Sequence, residues 1–166
     1  MLVIGIDPGT AITGFGVVRQ SSQGGLETVD FGVITTPPDH AMPRRLHQLY
    51  NELSTLITLH QPESGAVEKL YFQRNVSTAI SVGQARGVVL LALAQARIPV
   101  DEYSPREVKQ AVVGHGNADK RQMQEMVRTL LEMREIPHPD DAADALAVAI
   151  CHLHSSRTLR RLEENS

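Results

Sequence analysis

Tryptophan is absent, cysteine occurs once, and the aromatic side chains are three Tyr and three Phe in 166 residues. A lone Cys151 permits no internal disulfide. That excludes a disulfide-stapled scaffold and suits a reducing compartment, so a cytoplasmic location is expected. No apolar run approaches the roughly 20 residues that cross a bilayer. Nor does a basic stretch precede an apolar one at the N-terminus, so neither a membrane partner nor a secretion signal is expected. An excess of positive charge is missing too, the formal net charge being −3. That average conceals a partition: residues 1–68 sum to −4, residues 69–134 to +4 and residues 135–166 to −3. Local fields decide binding more than the sum does, so a basic middle keeps an anionic partner open. On charge alone, an ordinary mixed surface is the simpler reading.

What the chain does have is the composition of a globular domain, 42% hydrophobic and 21% charged, and the length for one core. Apolar runs at 2–6, 14–20 and 26–34 are separated by turn clusters at 7–13 and 21–25, which predicts an antiparallel meander. Leu46, Leu49, Leu53, Leu56 and Ile57 fall at helical spacing, so 43–60 reads as an amphipathic helix with Pro43 in its first turn. A fourth strand ends near Glu68, a long helix follows over about 76–97, and a fifth strand occupies 98–103. Ser104, Pro105 and Glu107 form a capping-box start for a helix that stops near Gly114. Asn117 is expected to cap a helix over about 118–133, and a last helix covers about 140–156. Residues 1–156 contain no linker and are expected to form one domain, with 157–166 as a flexible tail. The order β-β-β-α-β-α-β-α-α-α predicts an α/β fold: a five-stranded mixed sheet flanked by helices on both faces.

The stretch "VIGIDPGTAITGFGVV", residues 3–18, ends its first strand on Asp7. If the first and fourth strands lie side by side and parallel, Asp7 and Glu68 both stand at carboxyl ends, where open α/β sheets build their sites. Asp141 and Asp144 are i, i+3 and share one face of the last helix. A separate apolar stripe of Leu146, Ile150 and Leu153 would fasten that helix to the sheet, and the Ala residues between permit close approach. Each acid has a plainer reading. Asp141 suits a helix dipole, Asp7 suits a bond to its own turn, and Glu68 suits a solvated surface. Together they aim three segments at one edge. Four carboxylates without a Cys or paired-His set fit a hard cation, Mg²⁺ or Mn²⁺, rather than zinc. Two such ions per site would clamp a phosphodiester for in-line attack by water.

Four stretches, "IGIDPGTAITGFGVV", "VEKLYFQRNVSTAISVGQARGVVLLA", "YSPREVKQAVVGHGNADKRQMQEMVRTLL" and "DDAADALAVAICHLH", resemble the RuvC family of Holliday junction resolvases, in order over about residues 2–154. The resemblance implies a ribonuclease H-like fold, a homodimer, and symmetric nicking of four-way DNA junctions with divalent metal during recombination and repair. It implies that Asp7, Glu68, Asp141 and Asp144 bind the metal and catalyse, with Lys109 and Lys120 as catalytic lysines beside them. It points to Tyr71 as a ring stacking on a base at the junction centre. Phe72 follows directly, so the choice of ring stays open. By analogy, the RuvAB branch-migration complex is an implied partner.

Lys120 and Arg121 fall in the first turn of a helix, where cations oppose the dipole, which suggests an offsetting external phosphate. A solvated surface is the plainer reading of these cations. Arg74 and Arg86 are further candidates for contact with the DNA backbone. Ala79, Gly83 and Gly87 recur every four residues and allow close packing, either on the chain's own sheet or on a symmetric copy. His115 and His138 are read as loop and turn residues, and His152 and His154 as cations near a helix C-terminus. A nuclease acting on RNA or RNA/DNA hybrids, or a junction-binding protein without catalysis, remains an alternative. A two-domain ATPase does not fit the length.

Overall fold

The computed structural model describes residues 1–70 and 76–164. The strands are β1 (Leu2–Asp7), β2 (Ile12–Gln20), β3 (Leu26–Thr35), β4 (Ser64–Glu68) and β5 (Val100–Tyr103). The helices are α1 (Met42–His60), α2 (Val76–Gln95), α3 (Pro105–Val113), α4 (Lys120–Leu130) and α5 (Asp140–Glu164). The five strands form a mixed sheet in the order β3-β2-β1-β4-β5. β1, β2 and β3 are an antiparallel meander, while β1–β4 and β4–β5 pair in parallel. This is the expected sheet, with β1 beside β4.

Side chains alternate across the sheet, and the two faces differ. On one, Ile4, Ile6, Phe15, Val17 and Val67 pack with Leu49, Leu53 and Ile57 of α1 and Val89 and Leu93 of α2. The other face is stripped of side chains where α5 crosses it. A Cβ on Gly5 would lie 2.3 Å from the Ala145 carbonyl oxygen, and one on Gly14 would lie 1.9 Å from that of Asp141. On Gly16 it would meet Leu146 at 2.8 Å. The helix backbone therefore rests directly on β1 and β2. Leu146, Ile150 and Leu153 are fully buried there, each worth about 1.5–3 kcal/mol. The apolar stripe works as its spacing indicates.

Three expectations are corrected. The cap of α4 is Asp119, whose side chain accepts from the Gln122 N–H while Gln122 bonds back to the Asp119 N–H. A reciprocal box needs Glu or Gln three residues on; Asp119 has Gln122 there, whereas Asn117 has Lys120. Second, α5 is longer than the helix expected over about 140–156, running from Asp140 to Glu164. Its last stretch, rich in Arg, Leu and Glu and free of Gly and Pro, is built of good helix formers. Third, Thr78–Gln95 within α2 does have the length and mean hydropathy, 1.2, of a membrane span. Arg86 and Gln84 interrupt the apolar run, but its Val, Leu and Ala residues outweigh them over the window. Arg86 forms an ion pair with Glu102 of β5.

Candidate active site

Two acids reach the same edge because two parallel strands end in register. Val3 pairs with Ser64, Gly5 with Ala66 and Ile6 with Val67, so Asp7 and Glu68 follow side by side. The turn after Asp7 is closed by Gly9, where a Cβ would lie 2.1 Å from the Ile12 carbonyl oxygen. Hydroxyls then pin it: Thr13 donates to the Gly9 carbonyl at 2.7 Å, and Thr36 donates to that of Thr10 at 2.6 Å. Arg45 of α1 donates to the Thr36 hydroxyl at 2.9 Å. Across the glycine floor, the first turns of α5 carry Asp141 over Gly14 and bring Asp144 beside the pair.

The electrostatics follow from this crowding. Burial is the largest cause holding the Asp7 carboxyl well above its ordinary pKa, followed by the charges of Asp144 and Asp141. Glu68 is raised by burial first, then by Asp7 and Asp144. A hydrogen bond between the two carboxyls, its proton on Glu68, raises Glu68 further and draws Asp7 back down. Asp144 is raised by burial and pulled back by Lys120. Among the described residues, no three His, Cys, Asp or Glu side chains are placed to hold one metal ion together. What the fold supplies is converging, oxygen-only acid chemistry in a partly desolvated cleft, which suits a hard divalent cation.

Two lysines meet the acids. Lys120 Nζ is 2.9 Å from Asp140 Oδ2 and 3.7 Å from Asp144 Oδ2. The hydrogen bond to Asp140 is the first cause of a raised Lys120 pKa, and it holds Asp140 low. Gln124 Nε2 donates to the other Asp140 oxygen at 2.9 Å. Lys109 opposes the rise of Glu68. Glu68, Lys109, Lys120 and Asp144 line one open pocket of about 250 Å³, walled by Pro105, Val108, Met123 and Ala147.

This arrangement departs from the sequence reading in several places. The anion offsetting Lys120 against the α4 dipole is internal, supplied by Asp140 and Asp144. The first turn of α4 is capped by its own Asp119 box, which occupies the N–H groups of Asp119 and Gln122. Arg121 is exposed on α4 outside the pocket lining, and Arg86 is engaged by Glu102. Tyr71, Phe72 and Arg74 lie outside the described residues. His115 and His138 are exposed, the charge of His138 helping to keep Asp140 low. Asp140 was missed as the residue that steers Lys120. Its signal was a third acid, one position before Asp141, at the start of α5. His154 Nδ1 meets the Ala111 carbonyl at 3.1 Å, and His152 is buried, so neither merely caps a helix end.

A family model described as crossover junction endodeoxyribonuclease RuvC matches residues 3–152. A protein so named from Chloroflexus aggregans is 60% identical over 161 residues, covering 97% of this chain and 98% of its own. The structure of Thermus thermophilus RuvC matches with a TM-score of 0.89 and 38% identity, covering 95% of this chain and 96% of that one. T. thermophilus RuvC in complex with Holliday junction substrate matches at 0.87 with 34% identity and the same coverage.

Proposed function

The chain belongs to the RuvC family of crossover junction endodeoxyribonucleases, and from that premise we propose that it resolves four-way DNA junctions by paired symmetric nicks in recombination and repair. Asp7, Glu68, Asp141 and Asp144 would hold two divalent cations, Mg²⁺ or Mn²⁺. The observation that carries this reading is the meeting of Asp7, Glu68 and Asp144, each raised by burial and by its acidic neighbours. Bound cations supply Lewis-acid charge to the phosphodiester and its leaving oxygen. The chain's residues do the rest. Asp7 and Glu68 fix the floor of the cleft from rigid strand ends, and Asp141 and Asp144 close it from α5. Lys109 and Lys120 stand at its rim to draw in and orient a phosphate. Asp140 competes for Lys120, holding it in place until the phosphate arrives.

The dimer is proposed through α2. Ile80 and Leu91 are 60% and 52% exposed, and Gln84 and Gly87 lie exposed between them. A Cβ on Gly87 would meet nothing within 4 Å among the described residues, so that point of the helix is open to a partner. An apolar stripe at helical spacing suits a symmetric copy, and a two-fold dimer matches two cuts on a two-fold junction. Tyr71 or Phe72 would stack at the junction centre, and Arg74 and Arg121 would touch the DNA backbone. The cytoplasm is the proposed location, with a RuvAB-type branch-migration complex as partner.

The test compares a mobile four-way junction with a linear duplex and an RNA/DNA hybrid of matching sequence, each with Mg²⁺ or Mn²⁺. Symmetric nicks in the junction alone support the reading. Equal cutting of the duplex or preferential cutting of the hybrid overturns it.

A further inference from the structure

We infer that His152 is a positioning residue for the metal-binding acids: its hydrogen bond to Ser64 locks α5 against β4 and thereby sets the separation of Asp144 and Glu68. The inference rests on the proposed role of those acids. His152 is 2% exposed and Ser64 6% exposed, among the few polar side chains so deeply buried. The imidazole Nε2 is 2.9 Å from Ser64 Oγ, and Nδ1 is 2.9 Å from the Tyr103 hydroxyl. Tyr103 also meets the ring edge-on, with centroids 5.8 Å apart. The Asp101 carboxylate stands 3.6 Å from Nδ1. Burial favours the neutral imidazole, which has one donor and one acceptor nitrogen, and each hydroxyl can take either role. One side chain of α5 thus ties together β4 and β5.

The geometry connects this tie to the cleft. Ser64, Ala66 and Glu68 alternate on the face that α5 covers, and Asp144 and His152 lie along α5. From Asp144 to His152 the helix rises about 12 Å, at about 1.5 Å per residue. From Ser64 to Glu68 the strand advances about 13 Å, at about 3.3 Å per residue. The spans match, so the His152–Ser64 bond is one end of a frame whose other end is the Asp144–Glu68 pair. Between those ends, α5 meets the sheet through Gly5, Ala145 and Ala149. Such contacts set how closely the helix lies, but apolar contact is non-directional. A hydrogen bond constrains distance and angle. Sliding α5 along β4 would leave two buried polar groups without partners, a condition that folded chains avoid.

The test measures Mn²⁺ binding to the metal-free full chain by electron paramagnetic resonance of the free ion, together with Tm and junction affinity in EDTA. Ser64→Ala, which removes one oxygen, and His152→Leu should each weaken Mn²⁺ binding about three- to tenfold, below the loss typical of groups bonded directly to ligands. The two effects should not add in the double variant, His152→Gln should recover part of the loss, and junction affinity should hold. Mn²⁺ binding by Ser64→Ala within twofold of the parent overturns the inference, even if Tm falls, because the network then only stabilises. Glu68→Gln separates the two claims. If it loses Mn²⁺ while Ser64→Ala does not, the positioning role alone fails. If Glu68→Gln binds like the parent, the assignment of the acids fails and the inference with it.

Discussion

At the residue scale, Asp7 and Glu68 place two half-buried carboxyls where both cannot comfortably ionise. A carboxyl raised on folding binds its proton more tightly in the folded chain than in the unfolded one. Its contribution to metal-free stability is therefore full below the ordinary carboxylate range and declines as pH rises through the raised values toward neutrality. In EDTA, Tm should fall as pH is raised from about 5 to about 8, and Mg²⁺ should reverse the fall by binding the ionised acids. Glu68→Gln should remove part of that slope and raise the metal-free Tm near neutral pH by about 2–4 °C, corresponding to about 1 kcal/mol. A thermal-melt series with and without EDTA checks this; identical pH profiles for parent and variant contradict it. Lys120→Ala should lower the slope of log affinity for junction against log salt by about one, measured by anisotropy titrations. The acids and Lys120 were legible as single residues. The Lys120–Asp140 bond was not, because the two are far apart in sequence and only the packing of α4 on α5 joins them.

At the scale of elements, the site depends on how closely α5 can lie on the sheet. Gly14→Ala would set a Cβ 1.9 Å from the Asp141 backbone oxygen, a clash that no side-chain rotation relieves. It should cost about 1–3 kcal/mol, lower Tm by roughly 2–12 °C and abolish cleavage. Gly87→Ala is the contrasting change, since its Cβ would meet open space. It should gain up to about 1 kcal/mol of helix propensity in the protomer. Melting curves of both variants check the pair of predictions. Element order, the meander of β1, β2 and β3, and the capping box at Ser104 were readable because each depends on nearby residues. The glycine floor was not read: Gly5, Gly14 and Gly16 inside strands form a pattern that signals close backbone approach, but their partner helix lies more than a hundred residues away. The α4 start was misread for a local reason: Asn117 and Asp119 are both good caps, and the return bond from Gln122 decides between them.

At the scale of the whole molecule, the apolar exposed face of α2 and the junction's two-fold symmetry belong to one argument. Leu91→Glu puts a charge on a residue 52% exposed in the protomer, so folding should survive while association does not. Sedimentation should show a folded monomer, and junction cutting should change from paired nicks to isolated single ones. A dimer that persists would move the interface elsewhere. This helix also shows where composition misleads, since hydropathy alone allows it to span a bilayer, whereas the family places it in a DNA-processing enzyme. The central claim is that Asp7, Glu68, Asp141 and Asp144 form one metal-dependent nuclease centre. The most direct test places the parent and the Asp7→Asn variant on a labelled four-way junction with Mg²⁺, reading binding on a native gel and nicking on a denaturing one. Symmetric nicks by the parent, and undiminished binding without nicks by Asp7→Asn, are the predicted result. Nicking by Asp7→Asn at the parental rate would contradict the account.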